Sequence, residues 1–314
     1  MRFLIAGAGA IGGYVGAMLA RSGQDVTLFA RGAHLKAMEA RGLRILSAEG
    51  DFEVHPRVIG SLEAAGEFDV IFLGVKAHAL TQLAPQLNPL IGQETTVVST
   101  QNGIPWWYSH LERVDPGGII AASINPARVV GSLVYLGTEI AEPGVIRHIE
   151  GNRISLGEPD GARTARCKAI ADALIAAGLR CPVTTRIRHE IWVKLLGNVA
   201  FNPISALTGA TLEQMTRDAE MREVARNIMA EVERVANKLG VELPISLDQR
   251  IAGAEKVGAH KTSMLQDLEA GRPLEVEPVV GAVVELGEQL GLQMPHTRTV
   301  YACAKLLDAV RTAK

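Results

Sequence analysis

The chain has 314 residues and a mass of 33.5 kDa, 47% of it apolar, with 32 basic and 34 acidic side chains and a net charge of −2. At about 150 residues per domain this length predicts two domains, with cores large enough to need no disulfide staples. Near-neutral charge leaves no bulk attraction to nucleic acid or an anionic membrane, so neither is expected as a partner. Glycine is enriched, 32 residues of 314 against a usual share of about 7%, without tract or period. Aromatics, 4% of the chain, are too scarce for an all-β protein built on aromatic cross-strand pairs.

In chain order, residues 3–6 read as a buried strand, 12–21 as a helix and 26–29 as a second strand. A basic, Ala-rich helix follows at 34–41, then a short strand within 52–59. The near-continuous apolar runs at 69–75 and 95–100 suit strands covered on both faces of a parallel sheet. Residues 119–123 are a further strand candidate. Residues 130–158, around Pro143-Gly144, read as an antiparallel hairpin, so the sheet is expected to finish in antiparallel strands. From about Arg186 helical periods take over. Breaks are expected at Pro203, Gly209, 240–244, 271–273, Gly291 and Pro295. The predicted fold class is an α/β N-terminal doubly wound sheet over 1–185 followed by an all-helical domain over 186–314.

Two uncharged stretches imitate other things. Residues 3–20 carry five glycines and read as strand then helix rather than a signal peptide. Residues 195–212 include Asn198, Asn202, Pro203 and Thr208, too polar for a lipid-facing helix, so no membrane span is expected. Cys167, Cys181 and Cys303 have no metal-ligand spacing. They fit reduced thiols and a cytoplasmic location, with no metal site.

Gly7-Ala8-Gly9-Ala10-Ile11-Gly12 follows the first strand and opens a helix. This is the dinucleotide fingerprint: a tight turn, close backbone approach to a pyrophosphate, and close helix–strand packing. The helix start then presents free N–H groups to the anion. The second strand ends Phe29-Ala30-Arg31 with no acid to bind a ribose 2′-hydroxyl. Arg31 offers a guanidinium to a 2′-phosphate instead, so NADP(H) is the predicted cofactor.

Open α/β sheets bind ligands at the carboxyl ends of their strands, where Val75-Lys76 and Gln101-Asn102-Gly103 lie. Taken alone, Lys76 reads equally as a solvated lysine and Asn102-Gly103 as a turn. The helix from His189 is apolar in nearly every direction and so is expected to be buried. Lys194, Asn198 and Asn202 nevertheless recur on it at i, i+4, i+8 as one polar stripe. The stripe reads as an internal packing network or as a substrate wall. In the second reading Lys194 is a general acid whose pKa desolvation lowers. Further on, Ser263 reads as a helix N-cap, and Glu275 and Glu277 as acids at a helix start.

Together these elements resemble the ketopantoate reductase (2-dehydropantoate 2-reductase) family. The motifs are Gly7 to Gly12, Val75-Lys76-Ala77, Asn102-Gly103, Lys194-Leu195-Leu196-Gly197-Asn198 with Asn202-Pro203, Thr262-Ser263-Met264-Leu265-Gln266-Asp267, and Glu275, in order over residues 3 to about 280. The resemblance implies a Rossmann domain, a helical domain, and NADPH-dependent reduction of 2-dehydropantoate to pantoate in pantothenate synthesis. It implies Lys194 as proton donor and Glu275 as an essential acid on the substrate. Asn198 and Asn202 are implied as ligands of substrate hydroxyls and Ser263 as a ligand of its carboxylate. Asn102 is implied as a link between cofactor and substrate, with Lys76 near the cofactor and Arg31 on the 2′-phosphate. The expected partner is a small 2-oxo acid, and the expected assembly a monomer or homodimer. Two departures point to the alternative of a bulkier 2-oxo acid or imine. They are the aromatic run Trp106-Trp107-Tyr108 and the run Leu274-Glu275-Val276-Glu277, where Thr-Glu-Ile-Asp is more usual.

Overall fold

The computed structural model describes residues 1–63 and 65–312. The chain folds as two compact units, Met1–Gln101 with Gly117–Ile187, and Asn102–Pro116 with the chain from Arg188 onward.

The first unit is built on β1 (Arg2–Ala6), α1 (Ala10–Arg21), β2 (Asp25–Phe29), α2 (Gly32–Arg41), β3 (Leu43–Leu46), β4 (Phe52–Val54) and β5 (Arg57–Ile59). It continues with β6 (Val70–Leu73), α3 (Ala77–Leu87), β7 (Thr96–Ser99), α4 (Ile119–Ser123), β8 (Val129–Glu142), β9 (Val145–Gly157) and α5 (Ala165–Ala176). One nine-stranded sheet has the order β4-β3-β9-β8-β7-β6-β1-β2-β5. The run β5-β2-β1-β6-β7 is parallel throughout, the Rossmann arrangement, with its chain reversal between β1 and β6. All four residues of β6 and of β7 are buried, which is why β6 reads as an unbroken apolar run and β7 as two valines between small hydroxyl side chains. The β8–β9 hairpin is antiparallel and joins β7 to β3.

Three expectations are corrected. Residues 52–59 hold two strands, because Pro56 cannot donate to a ladder. β4 pairs with β3 and β5 with β2, at opposite edges of the sheet. Residues 119–123 form a short helix; so brief an apolar run carries no period that separates helix from strand. The backbone enters it through Gly117 and Gly118, both left-handed.

The second unit contains α6 (Ile187–Thr208), α7 (Leu212–Arg217), α8 (Ala219–Lys238), α9 (Leu247–Val257), α10 (Ser263–Glu269), α11 (Ala282–Gln289) and α12 (Pro295–Thr312), with a π turn, Glu277–Gly281, leading into α11. The third correction is here: α6 passes through Pro203 unbroken. An interior proline costs about 3 kcal/mol. Burial of Val199, Ala200, Phe201, Ile204 and Ala206 around it offsets that cost. Among the described residues no helix is long and apolar enough to cross a membrane. No group of three or more His, Cys, Asp or Glu among them is placed to hold a metal ion.

Cys167 and Cys181 are buried and Cys303 is exposed; all three are free thiols. Burial pushes the Cys167 thiol up to about 11 and the Cys181 thiol up to about 12. A disulfide reagent at pH 8 should therefore titrate one thiol in the native protein and three after unfolding. The unfolded chain releases thiol protons near pH 9, while the folded chain retains them. The urea midpoint should accordingly fall between pH 9 and 11, and less steeply in Cys181→Ala.

Candidate active site

Two groups of the expected residues come together, one in each unit. In the sheet unit, Gly7, Ala8 and Gly9 line a pocket with Phe29, Ala30 and Arg31 from the end of β2, His34 from α2, and Val75, Ala79, Gln82, Leu83 and Ile140. The pocket lies at the carboxyl ends of β1, β2 and β6, where the doubly wound topology leaves its crevice. Ala10, Ile11 and Gly12 form the first turn of α1 behind it. A side-chain carbon on Gly12 would strike the Gly7 carbonyl oxygen and sit 3.2 Å from the Gly74 Cα. Only glycine lets helix and loop approach this closely. Arg31 is exposed, with its guanidinium 5.3 Å from the centre of the Phe29 ring. Lys76 is the half-buried residue that opens α3, next to the pocket residue Val75.

These features fit a dinucleotide: an open glycine at Gly9 with nothing within 4 Å of a would-be Cβ, a helix start, a cation at the rim and an apolar wall. Sequence reading missed the wall residues and His34. Ala79, Gln82, Leu83 and Ile140 carry no motif and are gathered only by folding.

In the helical unit, α6 is buried on nearly every side. Ile191, Trp192, Leu195, Leu196, Val199 and Phe201 are all within 3% of full burial. Its polar stripe is met from two directions. The Lys194 ammonium donates to Asn102 Oδ1 at 2.9 Å, and Asn102 Nδ2 donates to Glu275 Oε2 at 3.4 Å. An ammonium only donates and a carboxylate only accepts, so the pair dictates which way the Asn102 amide faces. Glu275 is 9% exposed. One helical turn past the half-buried Asn198, the buried Asn202 donates to Ser263 Oγ at 3.4 Å. Ser263 is not the cap expected from sequence: Thr262 accepts from Leu265 N and caps α10. The Ser263 hydroxyl is thereby left to face α6.

Asn102 heads a segment that is fastened along its length. Gly103 is left-handed, with φ +88°, and its Cα lies against the backbone of Pro278, where any side chain would collide with the Pro278 carbonyl. Ile104 N donates to that carbonyl at 2.9 Å. The Glu285 carboxylate accepts from the backbone of Glu112 at 2.8 Å and of Arg113 at 3.0 Å. Arg113 pairs with Glu277 at 3.6 Å, and Tyr301 donates to the same carboxylate. Burial, then that bond to Glu277, push the Tyr301 phenol above its ordinary range. Trp106, Trp107 and Tyr108 are buried at 4%, 6% and 9% exposure. Tyr108 accepts from the Trp192 indole at 2.7 Å, and the Arg188 guanidinium lies 4.4 Å above its ring. The aromatic run is thus an anchor of its own segment in the core, and it lends no support to a bulkier substrate.

Residues 3–161 match the family described as Ketopantoate reductase PanE/ApbA, and residues 186–308 its C-terminal counterpart, Ketopantoate reductase PanE/ApbA C terminal. The chain belongs to the ketopantoate reductase family. The 2-dehydropantoate 2-reductase of Mesorhizobium japonicum is 48% identical over 323 residues, covering 99% of each chain. A crystal structure of the 2-dehydropantoate 2-reductase from Methylococcus capsulatus has a TM-score of 0.87 at 33% identity and covers 100% of this chain and 98% of that one. The structure of D-mandelate dehydrogenase with NADH and anilino(oxo)acetate, at 23% identity and a TM-score of 0.88, shares the fold. As a member of the reductase family the chain is an oxidoreductase.

Tyr108→Phe removes the acceptor of an indole N–H that is fully buried. It should lower unfolding free energy by about 1–3 kcal/mol in urea denaturation.

Proposed function

We propose that the protein reduces 2-dehydropantoate to pantoate with NADPH, serving pantothenate synthesis in the cytoplasm. The observation that carries this reading is the hydrogen-bonded series Lys194–Asn102–Glu275, which starts from the buried α6, in a chain 48% identical to a 2-dehydropantoate 2-reductase.

Bound NADPH supplies a hydride to the carbonyl carbon of the 2-oxo acid. The residues of this chain do the rest. Lys194 Nζ hydrogen-bonds the carbonyl oxygen, stabilises the charge that develops on it, and delivers the proton that completes the hydroxyl. Asn102 holds the ammonium in place through Oδ1 and so limits the orientations it samples. Glu275 accepts a hydrogen bond from the substrate. Asn198 and Asn202 bind the substrate hydroxyl from the same helix face, and Ser263, steadied by Asn202, donates to the carboxylate. Arg31 contacts the cofactor 2′-phosphate with a planar guanidinium that no acid at the carboxyl end of β2 opposes. Lys76 adds positive charge beside the cofactor.

Lys194→Ala should lower kcat by about 10²–10⁴-fold, with the NADPH dissociation constant within twofold of wild type by fluorescence titration. Wild-type turnover in that variant would remove Lys194 from the mechanism. Arg31→Ala should weaken NADPH at least tenfold and leave NADH nearly unchanged; equal losses for both cofactors would contradict the 2′-phosphate role.

A further inference from the structure

His34 is the one ionisable side chain besides Arg31 on the wall of the glycine-loop pocket, and none of the roles above uses it. It is half-buried on the first turn of α2. The backbone N–H of Gly144, in the turn between β8 and β9, donates to its Nδ1 at 2.9 Å. A ring nitrogen that accepts carries no proton, so the neutral imidazole holds its hydrogen on Nε2. Burial pushes the His34 pKa down, and a backbone contact to Ala8 raises it less; the ring is therefore neutral at ordinary pH. The Nε2 atom is itself buried and has no completed hydrogen bond, while Ala8 of the glycine loop lines the same pocket and its backbone acts on the ring. A buried donor left in this state calls for a reason.

The geometry of the peptide unit supplies one. In a trans peptide the C=O of one residue and the N–H of the next point in opposite directions across a rigid plane. A donor that holds the Ala8 carbonyl from the α2 side therefore turns the Gly9 N–H to the other side. Ala8 N is already committed to Phe29 O at 2.8 Å, so the plane that follows it is the next free element of the loop.

We propose that His34 is the positioning residue of the phosphate loop: braced at Nδ1 by Gly144, it presents Nε2–H to the Ala8 carbonyl and so aims the Gly9 N–H at the cofactor pyrophosphate. The turn between β8 and β9 thereby becomes part of the cofactor site without touching the ligand. The proposal rests on the dinucleotide reading of the pocket and is independent of the preference for NADPH, since the pyrophosphate is common to both cofactors.

Two amides separate its two ring nitrogens. Asparagine places an oxygen near the position of Nδ1 and keeps the brace to Gly144, with no donor at the reach of Nε2. Glutamine places an N–H near Nε2 and loses the brace. Dissociation constants of NADPH, NADH and ADP-ribose, measured by fluorescence and calorimetry, should rise together about 5–20-fold in His34→Ala and His34→Asn. They should return to within about threefold of wild type in His34→Gln, although its melting temperature drops. At saturating NADPH, kcat should be unchanged in all three. Tight binding by His34→Asn, or weak binding by His34→Gln, would overturn the assignment. A loss confined to NADPH would also overturn it, by making His34 a 2′-phosphate ligand. Failure of NADPH preference in the wild type would instead refute the Arg31 reading and leave this one standing.

Discussion

A half-buried ammonium on a helix that is covered on nearly every side is better tolerated where its donors find acceptors, because desolvating a charge without a partner is costly. Lys194 meets that condition through Asn102, a residue 92 positions earlier in the chain. Much of the second unit serves this one contact. Asn102 can reach α6 only if its segment lies against the π turn, and Gly103 and Ile104 hold it there on the Pro278 backbone. The π turn matters in its own right. Widening the helix by one residue leaves carbonyls that no longer pair in the ordinary ladder. The Pro278 carbonyl is the one that receives Ile104. Glu275 lies just before that turn, so the same local irregularity that receives the segment also sets Glu275 within reach of Asn102.

The anion sites are local in the same sense. A net charge of −2 offers no long-range attraction for an anionic cofactor and an anionic substrate. In the proposed reading recognition falls to a few groups with short reach: the loop after β1, Arg31 at the rim of its pocket, and Lys194 in the helical unit.

The reading of the chain succeeded where one local period dominates. β6 is fully apolar and β1, β2 and β7 are buried over most or all of their length because both faces are covered, and that pattern survives any context. The helix stripe Lys194, Asn198, Asn202 was legible because a 3.6-residue period puts those positions on one face whatever packs against it. The failures have equally local causes. Residues 52–59 look like one strand because pairing partners, which send β4 and β5 to opposite edges of the sheet, are not written in the segment. Residues 119–123 are too few to show a period. Pro203 was read as a helix end because its cost is local, while the burial that offsets it comes from the rest of the unit.

The order of side chains along the chain was enough to specify the glycine loop, the lack of an acid at the carboxyl end of β2, and the chemical types gathered on α6, since each depends on neighbours within a few residues. Which partner satisfies each group was settled by folding alone. Asn102 meets Glu275 across 173 positions, Ser263 faces Asn202 because Thr262 takes the cap, and His34 stands between Gly144 and Ala8. Trp106, Trp107 and Tyr108, read along the chain as a bulky addition to a binding loop, turn inward to anchor it. Hydrogen bonds and burial act between surfaces, and no local pattern encodes which surfaces the chain will bring together.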